Sequence, residues 1–345
     1  MKEKNSRVLD RISSKLGKYL YLGRKAIYFA WYRHHFLIPP RVLKQYAHSF
    51  FVSLKRGGGT SDLFTDQKAY NRLLEEQRNS VVYEDLQYTP LISFIVPVYN
   101  VSRAFLKECL DSLLNQSYRN FEICLCDDHS SLAETIEILK EYESTYDNVH
   151  VVYRQKNGMI SQASNSAIAI AKGEFIALVD NDDVVEKDAL YFVVRALNQN
   201  RDLDLIYTDE DKIDYSGNYM EPHFKPDYSP DTFMGLNYIC HLCVIRRESV
   251  NKVGGFRKEY DGSQDYDLFL RILDHTDHVY HVDRVLSHSR QTPESTSGYL
   301  GSKNYAFEAG RRALEDTLKR RNIRGRILDN PRFSGYLTKY EADDY

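Results

Sequence analysis

No stretch of this 345-residue chain is apolar for long enough to cross a bilayer. The best candidate, residues 26–32, sits between Lys25 and Arg33 and falls far short of the roughly 20 residues a spanning helix needs. Cysteine is scarce, and the five present, Cys109, Cys124, Cys126, Cys240 and Cys243, are odd in number. With no secretory leader in view they read as reduced thiols in a cytosolic compartment. Cys240 and Cys243 have ligand spacing but no second pair, which argues against structural zinc. Cys124 and Cys126 alternate along a predicted strand and read as small core residues. Gly57-Gly58-Gly59 lacks the Gly-Lys-Ser/Thr ending of a phosphate-binding loop and marks a flexible joint instead. No internal repeat is visible. Acidic residues are missing from Arg11 to Ser61, where ten Lys and Arg fall; the net charge of −3 therefore leaves −13 for the rest. A basic arm on an acidic body points to an anionic surface as the arm's partner.

From residue 90 onward, strands and helices alternate. The patterns predict strands at 91–96, 121–126, 149–153, 175–179 and 204–207, with helices at 103–115, 132–143, 161–171 and 187–199 between them. That order specifies an α/β fold with a mostly parallel, doubly wound sheet of nucleotide-binding type. After Tyr207 the regularity fades into hairpin-like and looped segments, and a further helix is expected near 305–320.

The most informative feature is Asp180-Asn181-Asp182-Asp183, which follows the continuous apolar run Phe175-Ile176-Ala177-Leu178-Val179. Such a run is the pattern of a strand buried on both faces, and its carboxyl end is where open α/β sheets bind ligands. Adjacent carboxylates repel one another, so a cation is the natural occupant. Oxygen ligands favour Mg²⁺ or Mn²⁺, bridging to phosphate. A solvated acidic turn is the competing reading. Asp127-Asp128 closes another strand on the same predicted rim, either as ligand or as a helix cap with Ser130. Asp265 falls in the first turn of a predicted helix, where the dipole favours an ionised carboxylate. It is either a cap or a base that takes a proton from an attacking hydroxyl.

Taken in order, these residues resemble the family 2 glycosyltransferases, inverting enzymes of the GT-A fold. The likeness runs through Ser93-Phe94-Ile95-Val96-Pro97-Val98-Tyr99-Asn100, Cys126-Asp127-Asp128-His129-Ser130, Asn157-Gly158 to Asn165, Lys172-Gly173-Glu174-Phe175-Ile176, Asp180-Asn181-Asp182-Asp183 and Gln264-Asp265. The resemblance implies that Pro97, Tyr99 and Asp128, with Asn100, bind the nucleotide. It implies that Asp182 binds the cation, Mn²⁺ or Mg²⁺, with Asp180 and Asp183 contacting ribose, metal or sugar. Asp265 would be the general base, and His288 stands where some members add a metal or diphosphate contact. Two departures stand out. Ser164 occupies a place often held by Arg, and Gln264 replaces a frequent Glu. The stretches around Asp209-Glu210 and Lys225 resemble a bacterial subgroup that builds surface polysaccharides. Asp209, Glu210, Lys225 and Gln264 are candidate donor or acceptor contacts, with surface ion pairing as the alternative.

The expected organisation is a basic helical extension over 1–89, a GT-A-like catalytic domain over 90–300, and a C-terminal helix and tail over 301–345. The expected reaction transfers a sugar from a UDP- or dTDP-linked donor to a hydroxyl of a lipid-linked glycan. It would take place on the inner face of a bacterial membrane, with residues 11–61 touching anionic lipid. A catalytically silent sugar-nucleotide-binding subunit is the rival. A nucleotidyltransferase is disfavoured, because Pro97-Val98-Tyr99-Asn100 replaces the glycine-rich basic loop such enzymes carry. No nucleic-acid-binding fold is recognisable.

Overall fold

The computed structural model describes residues 67–291, 304–330 and 335–341. The basic arm over 11–61 and the glycine joint at 57–59 lie outside the described residues. Among the described residues no helix is long and apolar enough to cross a membrane.

The elements run α1 (Gln67–Asn79), β1 (Ile92–Val98), α2 (Arg103–Leu114), β2 (Phe121–Asp127), α3 (Ala133–Thr145), β3 (Val149–Tyr153), α4 (Met159–Ile170) and β4 (Phe175–Leu178). They continue with β5 (Val184–Val185), α5 (Ala189–Gln199), β6 (Leu205–Ile213), β7 (Tyr219–His223), β8 (Cys243–Arg246), α6 (Arg247–Lys252), α7 (Gln264–Ile272), β9 (Val279–Arg290), α8 (Asn304–Arg320), β10 (Gly325–Asp329) and β11 (Tyr336–Tyr340).

The main sheet has the order β3-β2-β1-β4-β8-β6-β9-β5, with β7 added on β6. Its first four strands are parallel, as the alternating pattern requires. The second half is mixed: β8 runs antiparallel to both β4 and β6, while β6 and β9 are parallel. The order reverses beside β1, where β2 lies on one flank and β4 on the other, which creates a crevice at the strand ends. Because Leu178 pairs with Cys243, the chain entering β8 arrives at the edge where β4 ends.

Alternation along each strand divides the core between the two faces of the sheet. Phe94, Val96, Ile123, Leu125, Phe175 and Ala177 pack with α2, α3 and α5 on one face. Ile95, Cys124, Cys126, Ile176 and Leu178 pack with α4, α7 and α8 on the other. Cys124 and Cys126 are thus the small core residues that their spacing suggested.

Residues 70–89 pack on the sheet domain. Contacts group Tyr70–Tyr345 into one unit. Tyr70 and Leu74 bury against Val285. The backbone of Glu84 donates to the Tyr191 hydroxyl at 2.8 Å, and that of Tyr88 donates to Asn198 Oδ1 at 2.9 Å.

Candidate active site

The carboxyl ends of β1, β2 and β4, the entry to β8 and the N-terminus of α7 meet along one edge of the sheet. Asp180-Asn181-Asp182-Asp183 forms a tight turn there, with the Asp183 N–H donating to the Asp180 carbonyl at 3.3 Å. The turn is fastened from three sides. Asn181 Nδ2 donates to the Pro97 carbonyl at 2.8 Å, Arg290 Nε donates to the Asp182 carbonyl at 2.8 Å, and the Arg290 N–H donates to Asp183 Oδ1 at 3.0 Å. Of the carboxylate oxygens of the turn, these anchors use Asp183 Oδ1 alone.

Asp180, Asp183 and His241 converge, their potential ligand atoms all within 4.8 Å of one another. His241 Nδ1 lies 3.8 Å from a carboxylate oxygen of each aspartate. Asp183 is buried, yet its Oδ2 has no hydrogen-bond partner. Burial, followed by the charges of Asp180 and Asp182, pushes its carboxyl well above the usual carboxylate range. The same causes, burial and then Asp180, push Asp182 up to about 6. An unpartnered, buried carboxylate oxygen facing a second carboxylate and an imidazole is what a divalent cation relieves. The residues present therefore fit a cation.

Asp265 stands in the first turn of α7, partly accessible. Its Oδ2 accepts from Asn237 Nδ2 at 2.9 Å and its Oδ1 accepts from the Tyr266 N–H at 2.8 Å. The helix dipole and both hydrogen bonds favour the anion, but burial outweighs them. The carboxyl is raised above its ordinary value, even against the pull of His241. Asp180 also acts on its charge, which links the base candidate to the cation cluster.

On the β2 side, Asp128 is buried and accepts from the Gly158 N–H at 2.9 and 3.0 Å, while Arg154 Nε lies 2.8 Å away. Asp127 accepts from the Ser130 N–H at 3.2 Å in the turn ahead of α3, whose N-cap Leu132 receives no side-chain cap bond. Tyr99 at the end of β1 is half exposed. Asn100, at φ 48°, turns the chain, and its Oδ1 accepts from the N–H groups of Ser131 and Leu132 at 2.7 and 3.1 Å. The loop leading into α7 joins this side through Asp261, whose Oδ1 accepts from the Ser161 N–H of α4 at 3.1 Å.

Residues 93–254 match the family model described as glycosyl transferase family 2. The chain carries a family 2 glycosyltransferase domain. An uncharacterised Sinorhizobium fredii protein, y4gI, is 46% identical over 245 residues, which are 70% of this chain and 27% of that protein. The O-antigen biosynthesis protein RfbC of Myxococcus xanthus is 36% identical over 235 residues, 68% of this chain and 18% of RfbC. The chain thus spans about a quarter or less of the length of these two relatives. The crystal structure of S. aureus TarS 1–349 in complex with UDP-GlcNAc matches with a TM-score of 0.54 at 20% identity, over 66% of each chain. At that identity the likeness speaks for the fold, which is GT-A-like.

Within this glycosyltransferase domain the structure shows what several of the expected residues meet. His288 is a poor cation ligand here, because both its ring nitrogens are taken. Nδ1 meets Asp211 and Nε2 meets Glu186 at 3.0 Å, with the side chain fully buried. His241 takes the place beside the aspartates instead. Lys225 is likewise engaged: its buried Nζ donates to the carbonyls of Ile239 and His241, each at 2.6 Å, and to Glu210 at 3.1 Å. Asp209 is buried and accepts from the Lys225 N–H at 2.7 Å, with His281 Nε2 at 2.8 Å. Glu210 also meets His223 at 3.2 Å. These three residues fasten the backbone that carries His241. Gln264 turns back on its own loop, accepting from the Gly262 N–H at 2.9 Å. The sequence offered no sign of His241 or Asn237. Each owes its place to the pairing of β8 with β4 and to the packing of α7, and neither lies in a recognisable motif.

Proposed function

We propose that the chain is a metal-dependent inverting glycosyltransferase of surface-polysaccharide synthesis. Its donor is a nucleotide diphosphate sugar, UDP-linked by analogy with the UDP and UDP-GlcNAc complexes of TarS. Its acceptor is a hydroxyl of a lipid-linked glycan, in keeping with the O-antigen role in the name of RfbC. The observation that carries the reading is the unpartnered Asp183 oxygen facing Asp180 and His241, with the raised carboxylate of Asp265 close enough to feel both Asp180 and His241.

Asp180, Asp183 and His241 would hold the cation, and Asp182 would add charge beside it. The mixed oxygen and nitrogen donor set suits Mn²⁺ better than Mg²⁺. When bound, the cation supplies positive charge against the leaving diphosphate. Asp128, held by Gly158 and Arg154, and Tyr99 flank the place for the base on the far side of β1. Asp265 takes the proton of the acceptor hydroxyl, aided by the basicity that burial gives it and by the orientation that Asn237 imposes. The acceptor oxygen then bonds to the anomeric carbon as the carbon–diphosphate bond breaks, and the diphosphate leaves with the electron pair from the opposite face.

Asp265→Asn should lower turnover by about two decades or more while leaving donor affinity in calorimetry unchanged, since it removes the proton acceptor and keeps the shape. Near-normal turnover in that variant would overturn the base assignment, and turnover absent from the parent chain would favour a silent binding subunit.

A further inference from the structure

Among the described residues, three buried carboxylate or amide oxygens have no hydrogen-bond partner: Asp183 Oδ2, Asn237 Oδ1 and Asp261 Oδ2. All three belong to segments that converge on the crevice, and all three are acceptors awaiting a donor. The cation accounts for the first. Asn237 Oδ1 has no such explanation, and its orientation is dictated by chemistry. An amide oxygen turned toward the Asp265 carboxylate would set two acceptors against each other, so Nδ2 must face Asp265, as it does at 2.9 Å. The oxygen of the same amide is thereby left buried next to Asp265 with no partner of its own.

We infer that Asn237 reads the acceptor substrate: Nδ2 positions Asp265, and Oδ1 receives a hydrogen bond from a hydroxyl or amide N–H on the acceptor carbon next to the one attacked. The inference rests on the proposed glycosyl transfer and narrows its substrate class. The acceptor is a sugar whose nucleophilic hydroxyl has a neighbouring hydrogen-bond donor, so that one group faces Asp265 while the next faces Asn237. A buried acceptor left unsatisfied is costly, so a sugar lacking that neighbour is rejected. The segment is built to hold this geometry. Cys240 Sγ lies 3.3 Å from the Asn237 carbonyl, and Lys225 pins the carbonyls of Ile239 and His241 just beyond.

The test compares two reactions of the full chain with Mn²⁺ and a UDP- or dTDP-sugar. One is hydrolysis of the donor by water, which needs Asp265 but brings no neighbouring group. The other is transfer to methyl pyranosides and to their monodeoxy counterparts. In the wild-type protein, removing the neighbouring hydroxyl should lower kcat/KM by about 10- to 100-fold. Asn237→Ala should lower transfer to the intact pyranoside by a similar factor, with a smaller loss of hydrolysis, unchanged donor affinity, and no further penalty for the deoxy sugar. Equal losses in hydrolysis and transfer, or a deoxy penalty that persists in Asn237→Ala, overturns the acceptor-reading role. Hydrolysis lost in Asp265→Asn but transfer untouched in Asn237→Ala overturns this inference alone. Hydrolysis and transfer that both survive Asp265→Asn overturn the parent reading.

Discussion

At the scale of single residues, the crevice is governed by carboxylates that burial has made poor anions. Asp182 is pushed up to about 6 and Asp183 well above the usual carboxylate range, each by burial first and by neighbouring aspartates next. A folded-state value above the unfolded one, about 3.9, means that these groups favour the fold most at low pH. For Asp182 that contribution is lost as pH rises through its folded value of about 6. A cation reverses that penalty, since it binds the deprotonated form. Mn²⁺ affinity should therefore tighten as pH rises from about 5 to 7, with proton release seen in calorimetry in buffers of different ionisation enthalpy. Asp183→Asn keeps the volume and removes the charge; it should abolish the Mn²⁺-induced rise in melting temperature at neutral pH. An unchanged rise would exclude Asp183 as a ligand.

At the scale of elements, α4 ties the two sides of the crevice together. Its N-terminal end offers the Gly158 N–H to Asp128 and the Ser161 N–H to Asp261 in the loop before α7. Gly158 is needed for the close approach: a Cβ there would lie 2.4 Å from Arg154 Nη2 and 2.8 Å from Gln162 Cβ. The guanidinium can swing aside, but Gln162 Cβ is on the helix and cannot. Gly158→Ala should cost about 1–3 kcal/mol in urea denaturation and weaken nucleotide binding through the displaced Asp128. Stability lost with nucleotide affinity intact would separate Asp128 from the base pocket. Tyr70, Asp211 and His288, all buried, join through Glu186 to the exposed Arg78 in a network that holds α1 on the domain. Burial would raise Glu186, yet its bonds with His288 and Arg78 prevail and hold it down to about 2.

For the whole molecule, the charge division read from composition supports a proposal of its own. The ten basic residues between 11 and 61 have the charge to hold anionic lipid. Removing residues 1–60 should release the chain from vesicles containing anionic lipid at physiological salt, as followed by co-sedimentation. Persistent binding would exclude the arm as the anchor. The crevice lies at a topological switch point, and in the proposed reading the parallel half of the sheet supplies the nucleotide side. The antiparallel entry to β8 then carries His241 and Asn237 to the opposite wall.

Local pattern alone determined the four parallel strands, their intervening helices, and the carboxylates that close β2 and β4. Apolar runs and turn residues act over a few positions, and a strand followed by Asp180-Asn181-Asp182-Asp183 can place its acids only at one end. Tertiary structure decided which side chains those acids meet. His241 reaches Asp180 because Leu178 pairs with Cys243, a contact made across more than sixty intervening residues. His288 is lost to the crevice because β6 and the loop after β5 bring Asp211 and Glu186 to both its nitrogens. Partners of that kind are chosen by sheet order, which no short motif encodes.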